Sequence, residues 1–382
     1  MAGPESTKQY VPLTCHGHSR PVTHISFSGF VDGKEDEYYM ISACKGACSV
    51  QRIDGGSLLN YIQITIPCLE VVLMAIGMLQ SCLDSDKCLP FTFFGHKGAV
   101  YQARLSPDAK YAATASADFT AKVWDTYTGE TLYTIQHAHV VRAVAFPPES
   151  GTLLATGGTD KKLYIFDLTK VAQAGANGTP TSTGAGVDST INAQESGFEI
   201  GPGVHKGTIK AVVWTRDPNI IVTAADDKVI RWWDLRTQSV VQEQKVDGDI
   251  GSCEFSNIKS EPGDIGDGLP ILSIAAGKTL YFYGGPCANT LLKKVVLGYE
   301  VASVAIHPIQ RKYITGGIKD TWAKVYDFDS DMELDLHKGH HGPIWSISFS
   351  PDGKLYATGS EDGTIKMWKN CIGSFGLWRA EG

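Results

Sequence analysis

Two segments of the chain match register by register: "GHKGAVYQARLSPDAKYAATASADFTAKVWD" from Gly95 and "GHHGPIWSISFSPDGKLYATGSEDGTIKMWK" from Gly339. Each runs His, an apolar alternation, S-P-D, a second alternation, S-x-D and Trp. His96 precedes Trp124 by 28 positions, and His340 precedes Trp368 by the same 28. A spacing held over that length constrains the fold strongly, because each copy must form the same supersecondary unit. Weaker copies fill the interval: "HAHVVRAVAF…ATGGTDKKLYIFD" from His137, "VHKGTIKAVVW…TAADDKVIRWWD" from Val204 and "GYEVASVAIHP…TGGIKDTWAKVYD" from Gly298. A sixth, "GDIGSCEF…SIAAGKTLYFY", has lost its His and Asp, and "GHSRPVTHISFSG…MISACK" opens the chain, giving seven units.

Within each unit, apolar and polar residues alternate at period two in short runs bounded by Gly, Pro or Asp, the pattern of short antiparallel strands. A repeat of this length with G-H and W-D ends resembles the WD40 repeat, one four-stranded sheet per unit stacked radially. The expected fold is all-β, a single seven-bladed WD40 β-propeller over residues 1–382. The strand "YVPLT" precedes the first G-H and is expected to supply the outer strand of the last blade, after "TIKMWKN", tying the two chain ends together and removing a sheet edge.

Two interruptions break the array. "AQAGANGTPTSTGAGVDSTINAQES", residues 172–196, is nearly uncharged and rich in Gly, Ser, Thr and Ala, and reads as a flexible loop between the third and fourth blades. The other, within the first blade, contains "YIQITIPCLEVVLMAIGMLQSCL", residues 61–83, whose one charge is Glu70. Its length suits a membrane span, yet Gln63, Pro67, Glu70 and Gln80 weaken that reading and a span there would open the ring. Residues 57–90 are expected to be an insertion, either a surface helix or, as the favoured reading, translated non-coding sequence. The first blade also puts Gly46 where the S-x-D turn needs Asp; "ACSVQRID" is expected as its third strand and "PFTFFGH" as its fourth.

The net charge of −7 offers no polybasic footprint, so neither direct nucleic-acid binding nor membrane attachment is expected. The N-terminus "MAGPESTKQYVPLT" lacks a basic segment followed by an apolar one, so a secretory signal is not expected. Nine cysteines are an odd number without a C-x-x-C pair, which argues against both a disulfide framework and a zinc site. No G-x-x-x-x-G-K-[ST] loop is present to cradle phosphate. No metal, cofactor or catalytic group is therefore assigned, and His16, His24 and His307 are expected at the surface or in loops.

His96, Ser116, Asp118 and Trp124 recur as His340, Ser360, Asp362 and Trp368 and imitate a Ser-His-Asp triad. Duplication at blade flanks favours a structural role, with the four groups joined by buried hydrogen bonds. Binding then falls to surface residues. The residue after the first inward apolar position of each first strand points to the top face of the ring: Thr23, Tyr101, Arg142, Lys210 and Trp345. Aromatic and Arg side chains at such a place are the types that anchor protein partners.

"PLTCHGHSRPV", "ISACK", "GHKGAVY", "ADFTAKVWDTYTGE", "ADDKVIRWWD" and the terminal "FGLWR" together resemble the family of serine-threonine kinase receptor-associated proteins, also called unr-interacting proteins. The resemblance spans all seven units; the 57–90 segment, the missing Asp and the long loop depart from it. It implies a non-enzymatic scaffold, cytoplasmic and nuclear, monomeric within a larger assembly. Its implied partners are proteins of an Sm-core assembly complex, the survival-of-motor-neuron type that loads Sm proteins onto spliceosomal small nuclear RNAs. Roles in receptor-kinase signalling are implied for animals. The alternative is the propeller subunit of translation initiation factor three, which shares "GHKGAV", "GHHGPI" and "SEDG" but not the "PLTC" opening or the "GLWR" tail.

Overall fold

The computed structural model describes residues 12–15, 18–30, 38–47, 69–75, 91–170 and 189–372. Their strands form seven sheets, numbered here in chain order by their first strands: Val22–Phe27, Val100–Leu105, Val141–Ala145, Ile209–Trp214, Ile250–Phe255, Val301–His307 and Ile344–Phe349. Each first strand packs beside the next sheet's first strand, and the seventh packs beside the first, so the sheets close into a ring. The architecture is the all-β propeller that the repeat dictates, with these strands surrounding a central channel.

The alternation explains the packing. Val100, Ala103, Ala112 and Trp124 of the second sheet are buried against Ile41, Ala43 and Phe93 of the first, and similar clusters fill each gap between sheets. First strands of neighbouring sheets are not paired as a ladder, so side chains satisfy some of their backbone groups. The Val144 amide donates to Gln102 Oε1 at 2.9 Å, the Ile25 amide to Ser346 Oγ at 3.0 Å and the Val304 amide to Ser252 Oγ at 3.2 Å.

The ring closes as expected. Leu13–Cys15 pairs antiparallel with Ile365–Met367 as the outer strand of the seventh sheet, and Lys366 Nζ donates to Thr14 Oγ1 at 3.1 Å. At the seam between the seventh and first sheets, a Cβ on Gly359 would lie 2.7 Å from Val22 Cγ1, so the close approach needs glycine there.

Three expectations require correction. The third strand of the first sheet is Leu69–Ala75, inside the segment expected as an insertion; it pairs with Tyr39–Ala47 on one side and with Phe91–His96, the expected fourth strand, on the other. Its run of Leu, Val, Val, Leu and Met suits a strand enclosed by neighbours, and an apolar run of that kind carries no period by which to recognise it. Most of the expected third strand, residues 48–54, lies outside the described residues, as does the rest of 57–90 apart from 69–75.

The low-complexity segment also differs from its expectation. It lies within the third sheet, between the third strand Leu163–Asp167 and the fourth, Phe198–Ile200, rather than between the third and fourth sheets. Residues 171–188 lie outside the described residues, but Ser189–Asn192 forms a strand parallel to Thr131–Gln136 at the outer edge of the second sheet, followed by one helical turn, Ala193–Ser196. Finally, His24 and His307 are buried rather than superficial, on the first strands of the first and sixth sheets; His16 lies outside the described residues.

Candidate functional site

His, Asp and Trp of each expected tetrad join a buried chain of hydrogen bonds, but a threonine takes the place expected for the serine. Trp124 Nε1 donates to Thr114 Oγ1 at 2.9 Å, and His96 Nε2 lies 2.6 Å from the same hydroxyl. His96 Nδ1 is 2.9 Å from Asp118 Oδ2. A carboxylate only accepts, so Nδ1 carries the proton; burial lowers the imidazole pKa and keeps the ring neutral, and bare Nε2 accepts from Thr114. Burial pushes the Asp118 carboxyl up, yet His96, Thr120 and the Lys97 amide together hold it far below its ordinary value.

The seventh sheet repeats the chain through Trp368, Thr358, His340 and Asp362, with bonds of 2.9, 2.8 and 3.1 Å. Ser116 and Ser360 stand outside these chains, each donating to a backbone carbonyl, of Gly98 at 3.0 Å and of Gly342 at 2.9 Å. Neither serine bonds its histidine, so no triad is assembled. Thr114 and Thr358, missed by sequence reading, are the hubs; the signal was the Thr two positions before each Ser, in "TAS" and "TGS".

Other sheets carry altered chains. In the fourth, Trp233 Nε1 donates to Thr223, but Arg231 sits between His205 and Asp227, donating to both. Burial and the Arg231 charge push the His205 pKa down to about 4. The sixth uses Tyr299, whose hydroxyl lies 2.6 Å from Thr315 Oγ1 and 3.0 Å from the Tyr326 hydroxyl. In the first, His18 Nε2 lies 2.8 Å from Ser42 Oγ, with Met74 at the register position that Trp124 fills in the second.

The five expected top-face residues come together. Thr23, Tyr101, Arg142, Lys210 and Trp345 all line one cavity of about 440 Å³ at one end of the channel. The cause is a register shift at the second residue of every first strand, a β-bulge that turns that side chain toward the opening. The same bulge in the fifth and sixth sheets falls at Gly251 and Ala302, which sequence reading passed over because neither offers a reactive side chain.

These residues also hold one another. The Arg142 guanidinium carbon lies 4.1 Å from the Tyr101 ring centre, and Lys45 Nζ lies 5.8 Å from that of Trp345. Trp345 Nε1 donates to Glu361 at 2.6 Å, Lys210 pairs with Asp226 at 2.6 Å, and the Thr23 hydroxyl donates to the Val100 carbonyl at 2.7 Å. Thr23 is thereby largely committed to the scaffold.

A charged bridge forms the floor. Glu254 of the fifth sheet reaches His24 Nε2 of the first at 3.0 Å and pairs with Arg104 of the second. It lines both the upper cavity and a lower one of about 340 Å³, so the bridge stands between two chambers. Burial pushes the Glu254 carboxyl up, but the Arg104 charge and the His24 hydrogen bond outweigh it and hold the pKa at about 2. Burial, with the Arg104 charge, lowers that of His24.

Among the described residues no group of three or more His, Cys, Asp or Glu is placed to hold a metal ion, and no described helix is long and apolar enough to cross a membrane. The WD domain, G-beta repeat family matches residues 87–125, 129–167, 203–234 and 333–369. Over 372 residues the chain is 36% identical to the serine-threonine kinase receptor-associated protein of Gallus gallus, covering 96% of this chain and 85% of that one. The protein of the same name from Dictyostelium discoideum is 33% identical over 359 residues, 94% of this chain and 98% of its own. Eukaryotic translation initiation factor 3 subunit I of Drosophila sechellia is 27% identical over 295 residues, 72% of this chain and 82% of its own. The likeness runs through nearly the whole ring, and the chain belongs to the family of serine-threonine kinase receptor-associated proteins, WD40-repeat scaffolds.

Proposed function

We propose that this chain is a non-enzymatic scaffold that supports assembly of spliceosomal small nuclear ribonucleoproteins within a survival-of-motor-neuron-type complex. It acts there as a monomeric subunit, present in both cytoplasm and nucleus, with a protein of the Sm-core assembly machinery docked at the channel mouth. The family likeness over 96% of the chain supports the first part. The observation that carries the second is the convergence of Tyr101, Arg142, Lys210 and Trp345 on one cavity. Aromatic and Arg side chains at the centre of a concave surface supply a large binding contribution for little ordering cost. Contact is with protein rather than RNA, in keeping with the net charge of −7.

The test is affinity purification with mass spectrometry, using the tagged chain and its Tyr101→Ala/Trp345→Ala form. The parent is expected to recover Sm-core assembly proteins and the double variant to lose them while melting within a few degrees of the parent. Recovery of initiation-factor subunits instead would hand the chain to the other reading, and equal recovery by both forms would move the interface away from the mouth.

A further inference from the structure

The wall of the upper chamber is uneven. In order round the ring the bulge positions carry Trp345, Thr23, Tyr101, Arg142 and Lys210, then Gly251 and Ala302. A Cβ at position 251 would lie 2.3 Å from the Ala302 carbonyl oxygen, so packing of the fifth sheet on the sixth keeps this position bare. The gap is bounded by Lys210 on one side and by Trp345, with Lys45 over its ring, on the other.

The chamber holds excess positive charge although the chain as a whole is acidic. Its floor carboxylate, Glu254, is neutralised by Arg104, and Lys210 is paired with Asp226. Among the described residues neither Arg142 nor Lys45 has a carboxylate within ion-pair distance. The Arg142 guanidinium lies over the Tyr101 ring, and a guanidinium is a planar fork that suits a carboxylate. Walls of low dielectric concentrate the field of such charges inside a cleft.

We propose that the upper chamber receives a side-chain carboxylate from an extended acidic segment of the partner protein, seated over Gly251 between Arg142 and Lys45. This rests on the reading of the mouth as the docking site and adds the chemistry of its occupant. A cavity of about 440 Å³ takes one or two side chains and no folded element. RNA is a poorer fit, since a phosphate backbone needs a long basic stripe rather than a single small well.

The experiment pans a random peptide library against the full chain, then measures the enriched peptide and its Glu→Gln and Asp→Asn counterpart by fluorescence polarisation. Carboxylate-bearing sequences are expected to enrich. Binding should weaken by about tenfold or more in the amide counterpart, in Arg142→Gln/Lys45→Gln and at raised salt. The double variant should melt as the parent does, which separates lost binding from lost folding.

No enrichment, enrichment of uncharged sequences, or binding indifferent to the amide exchange overturns the proposal. An oligouridylate that binds as tightly as the peptide overturns it in favour of RNA. Uncharged sequences whose binding is lost in Tyr101→Ala and Trp345→Ala leave the docking site standing and remove only its acidic occupant. Peptides that ignore both pairs of variants remove the docking site as well.

Discussion

The second and seventh sheets share the same chain of Trp, Thr, His and Asp, whereas no two sheets present the same residue at the channel mouth. The flank and the mouth are built on one repeat, and they use it differently. A group that serves the fold can recur from sheet to sheet, because the sheets have similar polar atoms to satisfy, although only the second and seventh carry the complete chain. A group that meets a partner is needed once, at one place on the ring. Repetition marks the scaffold, and its failure marks the surface that binds.

Breaking a complete flank chain is expected to have the largest effect. Asp118→Ala strips the His96 Nδ1 proton of its acceptor and frees the Lys97 and Thr120 amides, and should cost about 3 kcal/mol in a urea titration. A variant as stable as the parent would show that the buried chain does not hold the blade.

The bridge comes next. The Glu254 pKa is about 2 in the fold and about 4.3 in an unfolded chain, so its carboxylate contributes stability above about pH 4.3 and loses it as pH falls toward about 2. The contribution is on the order of 3 kcal/mol. Glu254→Gln should therefore be less stable than the parent at neutral pH, and the gap between them should narrow when both are titrated in acid. A gap independent of pH would mean that the bridge adds shape but no charge pairing.

The incomplete first sheet gives a smaller effect. His18→Ala removes the bond to Ser42, and should cost less than Asp118→Ala, on the order of 1 kcal/mol. A loss equal to that of Asp118→Ala would erase the distinction between complete and degenerate flanks. The smallest effect on stability belongs to the mouth: Trp345→Ala should change it by under about 1 kcal/mol, since the ring is partly exposed and makes one bond, to Glu361.

The same division explains what the sequence revealed. The repeat and its strand alternation located all seven sheets, and "YVPLT" located the closing strand, because these are repeated or local features. Thr23, Tyr101, Arg142, Lys210 and Trp345 were legible by register alone. Leu69–Ala75 was not, since an enclosed strand shows neither alternation nor a motif, and its distance from Tyr39–Ala47 breaks the repeat period. The Glu254 bridge was invisible because it joins the first, second and fifth sheets across the channel, a contact that no local pattern encodes. Ser189–Asn192 pairs out of chain order with the second sheet, against the expectation that a Gly/Ser/Thr-rich segment stays unstructured.

The most direct measurement puts both regions in one assay: Asp362→Ala and Trp345→Ala, each melted and each used to capture the partner assembly at a temperature where both remain folded. The account predicts that Asp362→Ala melts several degrees lower yet captures the assembly as the parent does, while Trp345→Ala melts with the parent and captures little. Loss of capture in Asp362→Ala with retention in Trp345→Ala would contradict it, placing the binding surface on the repeated flank and leaving the mouth as packing.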